Sequence, residues 1–209
     1  MQSFNIQDCI LYEDKDILVC HKPAGVAVQS ARFGMADMES SLKNHLALKT
    51  PGKIPYLGII HRLDQPVEGV LVFGKTPQAT AGLNKQHQNG TMKKEYLAVF
   101  TGTPVKEKQG IWEDYLIKDG KTNTSRVTGK KDRMAKKAVL SYRIIDWRDD
   151  RGLAEIQLGT GRHHQIRVQF SGHGTPLFGD GRYGCPDRRG LALCACRLSF
   201  KHPVTGKNM

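Results

Sequence analysis

The chain has 209 residues, 39% hydrophobic and 25% charged, with 32 Lys and Arg against 20 Asp and Glu and a formal net charge of +12. That length holds one sizeable domain or two small lobes around a shared core. The apolar runs, such as Val70-Leu71-Val72-Phe73, are far too short for a membrane-spanning helix. The start, MQSFNIQDCILYEDKD, lacks the basic and apolar regions of a secretion signal, and the five cysteines are odd in number. Together these predict reduced thiols in a cytoplasmic protein. The excess of positive charge selects polyanionic partners, nucleic acid before an anionic membrane.

In chain order, Ile10 to Tyr12 and Ile17 to His21 read as short strands around an acidic turn, ended by Lys22-Pro23-Ala24-Gly25. Residues 31 to 40 read as a loop, with Ser40 capping a short helix over Ser41 to Leu48. Leu57 to Ile60 is a short strand running into His61-Arg62-Leu63-Asp64, and Gly69 to Lys75 is a strand buried on both faces. A helix follows over Pro77 to Asn89, with Thr76 as its cap, Pro77 at its first position and Gly90 as its stop. Strands are predicted over Lys94 to Phe100, Ile111 to Ile117 and Val139 to Trp147. Residues 119 to 137, with seven Lys or Arg against two Asp, read as an exposed connection. Leu153 to Leu158 alternates, with Ala154, Ile156 and Leu158 on one face, and a last strand covers Leu191 to Phe200. In that strand Cys194 and Cys196 lack the spacing of a zinc site and read as buried structural thiols. Strands and helices do not alternate strictly, which predicts an α+β fold with a mixed, mainly antiparallel sheet rather than a doubly wound parallel one.

Two blocks carry the chemistry. His61-Arg62-Leu63-Asp64 places one carboxylate beside an Arg, where packing explains it poorly and a nucleophile explains it better. Gly161-Arg162-His163-His164-Gln165-Ile166-Arg167 opens a helix predicted from Arg162 to Ser171, with His163, Ile166, Arg167 and Phe170 on one face. Ile166 and Phe170 carry Arg167 inward, and a buried guanidinium must find an anion. That anion is either a carboxylate of the site or a purely structural one.

These blocks resemble the motifs of RNA pseudouridine synthases of the RluA type. His61-Arg62-Leu63-Asp64 followed by Gly69-Val70-Leu71-Val72-Phe73-Gly74-Lys75-Thr76 is similar to the catalytic motif, and Lys94-Glu95-Tyr96-Leu97-Ala98 to the second. Gly161 to Val168, then Gly174-Thr175-Pro176-Leu177-Phe178-Gly179-Asp180-Gly181-Arg182-Tyr183-Gly184, is similar to the third, and Leu198 to Gly206 to the terminal signature. Leu11 to Asp14, through Lys22-Pro23-Ala24-Gly25, matches the usual opening. The resemblance implies a pseudouridine synthase fold with a central catalytic cleft, forming a single catalytic domain over residues 1–209 with no separate N-terminal RNA-binding domain.

It further implies that Asp64 is the catalytic carboxylate, that Tyr96 stacks on the target base and that Arg167 pairs with the Asp. Arg62 helps displace the uridine, with His61, Lys94, Arg162, Gln165 and Ile166 as further substrate contacts. The implied partner is ribosomal or transfer RNA, bound by a monomer away from membranes. Cofactor and metal are expected to be absent, because the isomerisation involves no redox change and no dinucleotide or phosphate-binding loop is present. The departures are Val67-Glu68 where the family has Thr-Ser, Gln169 where it often has His, and an ending soon after Gly206. Two rivals stand beside this reading. One is a metal hydrolase built on His61, His163, His164, His173 and Asp64, which lacks a helical His pair at ligand spacing. The other is an RNA-binding protein that keeps the fold without catalysis.

Overall fold

The computed structural model describes residues 4–30, 34–102 and 107–209. In chain order the elements are α1 (Ile6–Cys9), β1 (Ile10–Glu13), β2 (Ile17–Lys22), α2 (Met38–Lys49), β3 (Gly58–Ile59), β4 (Glu68–Gly74) and α3 (Pro77–Gln88). They continue with β5 (Lys93–Thr101), β6 (Gln109–Asp119), β7 (Thr124–Thr128), β8 (Lys136–Arg148), β9 (Arg151–Leu158), α4 (Gln165–Gly172) and β10 (Leu193–Ser199). The chain divides into two compact units, one of residues 1–93 with 195–209 and one of residues 94–194.

In the first unit the strands lie in the order β1-β2-β4-β10, with β3 also on β4. β2 and β4 pair antiparallel from Ile17 opposite Gly74 to Lys22 opposite Gly69. Leu71, Val72 and Phe73 are all fully buried, as an unbroken apolar run requires. α3 packs Ala79 and Leu83, one turn apart, into a cluster with Ile17, Ile60, Val72, Met92 and Phe200. Its start is written locally: Thr76 accepts a hydrogen bond from the Ala79 amide and Pro77 takes the first turn. At Gly69 the backbone adopts φ 135°, and a Cβ there would meet the Ala195 backbone at 2.4 Å. Only glycine allows this approach of β4 to β10.

α2 corrects two expectations. The helix begins at Met38 rather than after Ser40, and its cap is Asp37. The Asp37 carboxylate accepts from the Ser40 amide while the Ser40 hydroxyl accepts from the Asp37 amide, a reciprocal capping box. Part of the expected loop, residues 31–33, lies outside the described residues.

In the second unit the order is β5-β9-β8-β6-β7, every neighbouring pair antiparallel. Tyr96, Ala98 and Phe100 turn one face of β5 into the core opposite Ile156, Ala154 and Gly152 of β9. The basic connection expected over residues 119 to 137 contains a strand, β7, whose Thr124–Thr128 ladder on β6 supplies pairing that its own composition does not suggest. Phe170 of α4 packs against Phe100 and Trp112 at ring separations of 5.5 and 4.9 Å.

Candidate active site

In the first unit, β3 ends and the chain passes His61, Arg62, Leu63 and Asp64 before turning into β4. His61 and Leu63 are buried, Arg62 is exposed and Asp64 is half-buried. The His61 ring lies 6.1 Å from that of His87 on α3. The turn closes on itself: the Val67 amide donates to the Asp64 carbonyl at 3.0 Å, and Val67 is buried beneath it. Gln65 is held three times, its carbonyl by the Gly25 amide at 2.9 Å and by Lys22 Nζ at 3.1 Å, its side-chain amide by the Gly25 carbonyl at 2.9 Å.

Lys22 is the residue that sequence reasoning missed. The sequence places it in a break and in the opening block without a role, yet it is wholly buried, and its ammonium also donates to the carbonyls of Pro23 and Val26 at 2.9 and 2.7 Å. Burial pushes its pKa down to about 8, against the opposing pull of the Asp64 and Glu68 charges. A wholly buried lysine among carbonyls leaves no mark in composition. The signal was its place, the last residue of a strand just before a turn with Pro23 and Gly25.

In the second unit, Tyr96 is buried and Lys94 is half-buried. Burial lowers the Lys94 pKa. The second block forms the predicted helix, but α4 starts at Gln165 instead of Arg162. His164 sits in the left-handed region at φ 53°, which no helix continues through. Gln165 braces this entry: its Oε1 accepts from Thr160 Oγ1 at 2.7 Å and from the Arg162 amide at 2.9 Å, and its Nε2 donates to the Val139 carbonyl at 3.0 Å. Ile166 is buried beside it, while Arg162 stays exposed.

Arg167 is carried inward as predicted and finds a carboxylate within its own unit. Its Nε and Nη2 donate to the two oxygens of Asp180 at 2.7 and 2.8 Å, with side chains only 6% and 1% exposed. This is the two-point geometry that suits guanidinium and carboxylate. Asp180 is itself the hub of a tight loop, accepting the amides of Arg182 and Tyr183 on Oδ1. Gly179 precedes it at φ 77°, where a Cβ would overlap the Gly190 carbonyl. Gln169, on the same helix, is fully buried and donates to Asp114, which also bonds His173.

The thiol expectation is half corrected. Cys194 is half-buried and Cys196 exposed, because Leu193 and Ala195 take the inward positions of β10 and the strand period turns the cysteines the other way. Among the described residues Asp14, Asp16 and His202 bring ligand atoms within 4.8 Å of one another. They do not suit a metal ion. His202 Nδ1 accepts the amides of Val204 and Thr205, which puts the ring proton on Nε2, and that proton is donated to Asp14 Oδ2 at 2.9 Å. No helix among the described residues is long and apolar enough to cross a membrane.

Residues 16–172 match the family described as RNA pseudouridylate synthase. A Zymomonas mobilis protein named ribosomal large subunit pseudouridine synthase D is 33% identical over 217 residues, covering 96% of this chain and 67% of that protein. A Bacillus subtilis protein named uncharacterized RNA pseudouridine synthase YlyB is 35% identical over 203 residues, covering 95% of this chain and 66% of its own. The chain thus spans about two thirds of the length of these relatives. In fold it is similar to the solved structure of human RNA pseudouridylate synthase domain containing 1, with a TM-score of 0.78 at 22% identity over 100% of this chain and 84% of that one. The five sequence blocks, the antiparallel α+β architecture and these matches agree, and the chain belongs to the RNA pseudouridylate synthase family.

Proposed function

We propose that this chain is an isomerase that converts uridine in structured RNA to pseudouridine. Asp64 acts as the catalytic carboxylate, Tyr96 holds the extruded base, and Arg167 is the cation that orients the reacting groups. Arg62 and His61 help to extract the nucleotide, and Lys94 and Arg162 hold its phosphates. The observation that carries the reading is the presentation of Asp64. A half-buried carboxylate stands on a loop whose next residue is pinned by three hydrogen bonds, two from Gly25 and Gln65 to one another and one from Lys22. Such bracing serves a group that must meet a reacting atom to within a fraction of an ångström.

The reaction breaks the N1–C1′ bond, turns the uracil and joins C5 to C1′. The C5 hydrogen leaves as a proton and N1 gains one, so no electron is transferred. An ionised carboxylate serves attack at C1′ and addition to C6 alike. The target lies inside a base stack, so the nucleotide must come out before either step, and a flat aromatic such as Tyr96 suits the extruded ring. Arg167 enters this scheme already locked on one edge by Asp180, which fixes the plane of its guanidinium for its remaining N–H groups.

In this reading the two units act together as a single catalytic domain, and the enzyme works in the cytoplasm as a monomer. The names of its relatives support large-subunit ribosomal RNA as the substrate. The test is pseudouridine formation on ribosomal and transfer RNA from cells lacking the protein. Wild type should produce it at defined uridines, while Asp64→Asn should lose at least ~1,000-fold in turnover and still bind RNA. An Asp64→Asn protein with wild-type turnover would remove the reading. RNA bound equally by both, with no pseudouridine from either, would leave an RNA-binding protein in its place.

A further inference from the structure

The second unit holds a cavity to which the roles assigned above bring only Arg162. It measures about 400 Å3, within the range of small-ligand sites, and is framed by β6, β7, the start of β8 and the entry to α4. Its floor is apolar: Leu116 is buried in a cluster with Ala138 and Val168. Met134 stands at the cavity with 73% of its surface exposed, a large apolar side chain that folding alone leaves uncovered. The cations of the lining are Lys118, Lys136 and Arg162, and among the described residues no Asp or Glu joins them.

One wall is built to hold its shape. Ser125, buried on β7, bonds His163 Nδ1 through its hydroxyl at 2.9 Å and donates its amide to Tyr183 Oη at 2.9 Å. The same Tyr183 oxygen meets His164 Nδ1 at 2.6 Å. The His163 and His164 rings stack at 3.7 Å, an arrangement that the left-handed backbone of His164 makes possible. Non-glycine residues persist in that region when surrounding bonds over-determine them, as these do. Arg162 is tethered as well, its Nε donating to the Lys137 carbonyl at 2.8 Å.

We infer that this cavity is a nucleotide subsite, which takes one base and ribose of single-stranded RNA. Leu116 and Met134 cover the faces of the base and sugar, and Lys118, Lys136 and Arg162 hold the phosphates on either side. An apolar floor with a cationic rim and no carboxylate is the complement of a nucleotide: a flat ring carried between two anions. The polarisable thioether of Met134 adapts to any base, so the subsite fixes the path of the strand more than its sequence. The choice of ligand rests on the RNA-modifying reading above.

The experiment measures fluorescence anisotropy of a labelled single-stranded RNA of mixed sequence, about a dozen nucleotides long, over a range of salt concentrations. The double variant Lys118→Ala/Lys136→Ala should bind roughly tenfold more weakly, and its log K against log salt should lose about 1.4 in slope, ~0.7 for each phosphate contact removed. Met134→Ala should weaken binding about fivefold with the slope unchanged, as loss of a stacking surface does. Lys108→Ala/Arg188→Ala removes two exposed cations of the same unit outside the cavity and should leave both quantities near wild type.

Equal losses in the two double variants would overturn the subsite in favour of a diffuse basic surface. A silent Met134→Ala would overturn it too, and so would displacement of the RNA by poly-glutamate as strong as by unlabelled RNA of equal charge, which would mark an acidic-peptide groove. A parallel pseudouridine assay keeps the two readings apart. Wild-type turnover with unchanged binding by the variants removes the subsite alone. Cavity-specific binding losses without any turnover remove the isomerase alone.

Discussion

Asp180 decides what Arg167 can do. A guanidinium and a carboxylate this deeply buried are each costly unless the other is present. Asp180→Asn keeps the volume but sets an amide N–H2 against a donor, and should destabilise the protein by about 3–5 kcal/mol, read as a lowered urea midpoint. Lys22→Met is the companion test on the Asp64 side. It strips a donor from three carbonyls, so turnover on RNA should fall several-fold while RNA affinity holds, with thermal unfolding followed in parallel. At this scale the proposed site was partly legible. Asp64, Tyr96 and Arg167 could be put forward because their neighbours resemble the family's motifs. That the helix would bury Arg167 followed from Ile166 and Phe170 alone. Asp180 stood inside a recognised block without a role, since nothing in its neighbours says that the loop folds back beneath α4. Lys22 was hidden for the opposite reason: burial of a lysine contradicts every expectation drawn from residue type.

Glu13 ties three elements of the first unit together. It accepts from Lys49 at 2.7 Å and His45 at 3.0 Å on α2, and from Lys75 at 2.8 Å just beyond β4. Burial works to raise its carboxyl, but the hydrogen bonds from Lys49, Lys75 and His45 together outweigh it and hold the pKa near 2, down from 4.5. A folded-state value below the unfolded one stabilises fully above pH 4.5, and that stabilisation drains away as the pH falls toward 2. Glu13→Gln should therefore lose about 1–3 kcal/mol at neutral pH, and its gap from wild type should close between those two values in urea titrations run at each pH. Elements with their own punctuation were readable: α3 announces itself by Thr76 and Pro77. Those that depend on a neighbour were not. β7 exists because β6 offers it an edge, and α2 begins early because Asp37, not Ser40, is the residue free to turn back on the first amides. In β10 the strand itself was legible, but which phase faces inward was settled by packing, which is why Cys196 faces out.

Over the whole molecule, the surplus of twelve positive charges and the two units of similar size frame the proposed function. The α+β class and the antiparallel pairing were legible from strand spacing, whereas the division into units was not, because no linker composition marks it. That division also has a temporal side. The second unit is one uninterrupted stretch, 94–194, so every partner it needs is delivered in a single run of translation. The first is not: its last strand leaves the ribosome about 120 residues after β4. Until Ala195 arrives to lie against Gly69, that end of β4 is an open edge on a nascent chain, a surface on which premature pairing is possible and which a chaperone would be expected to cover.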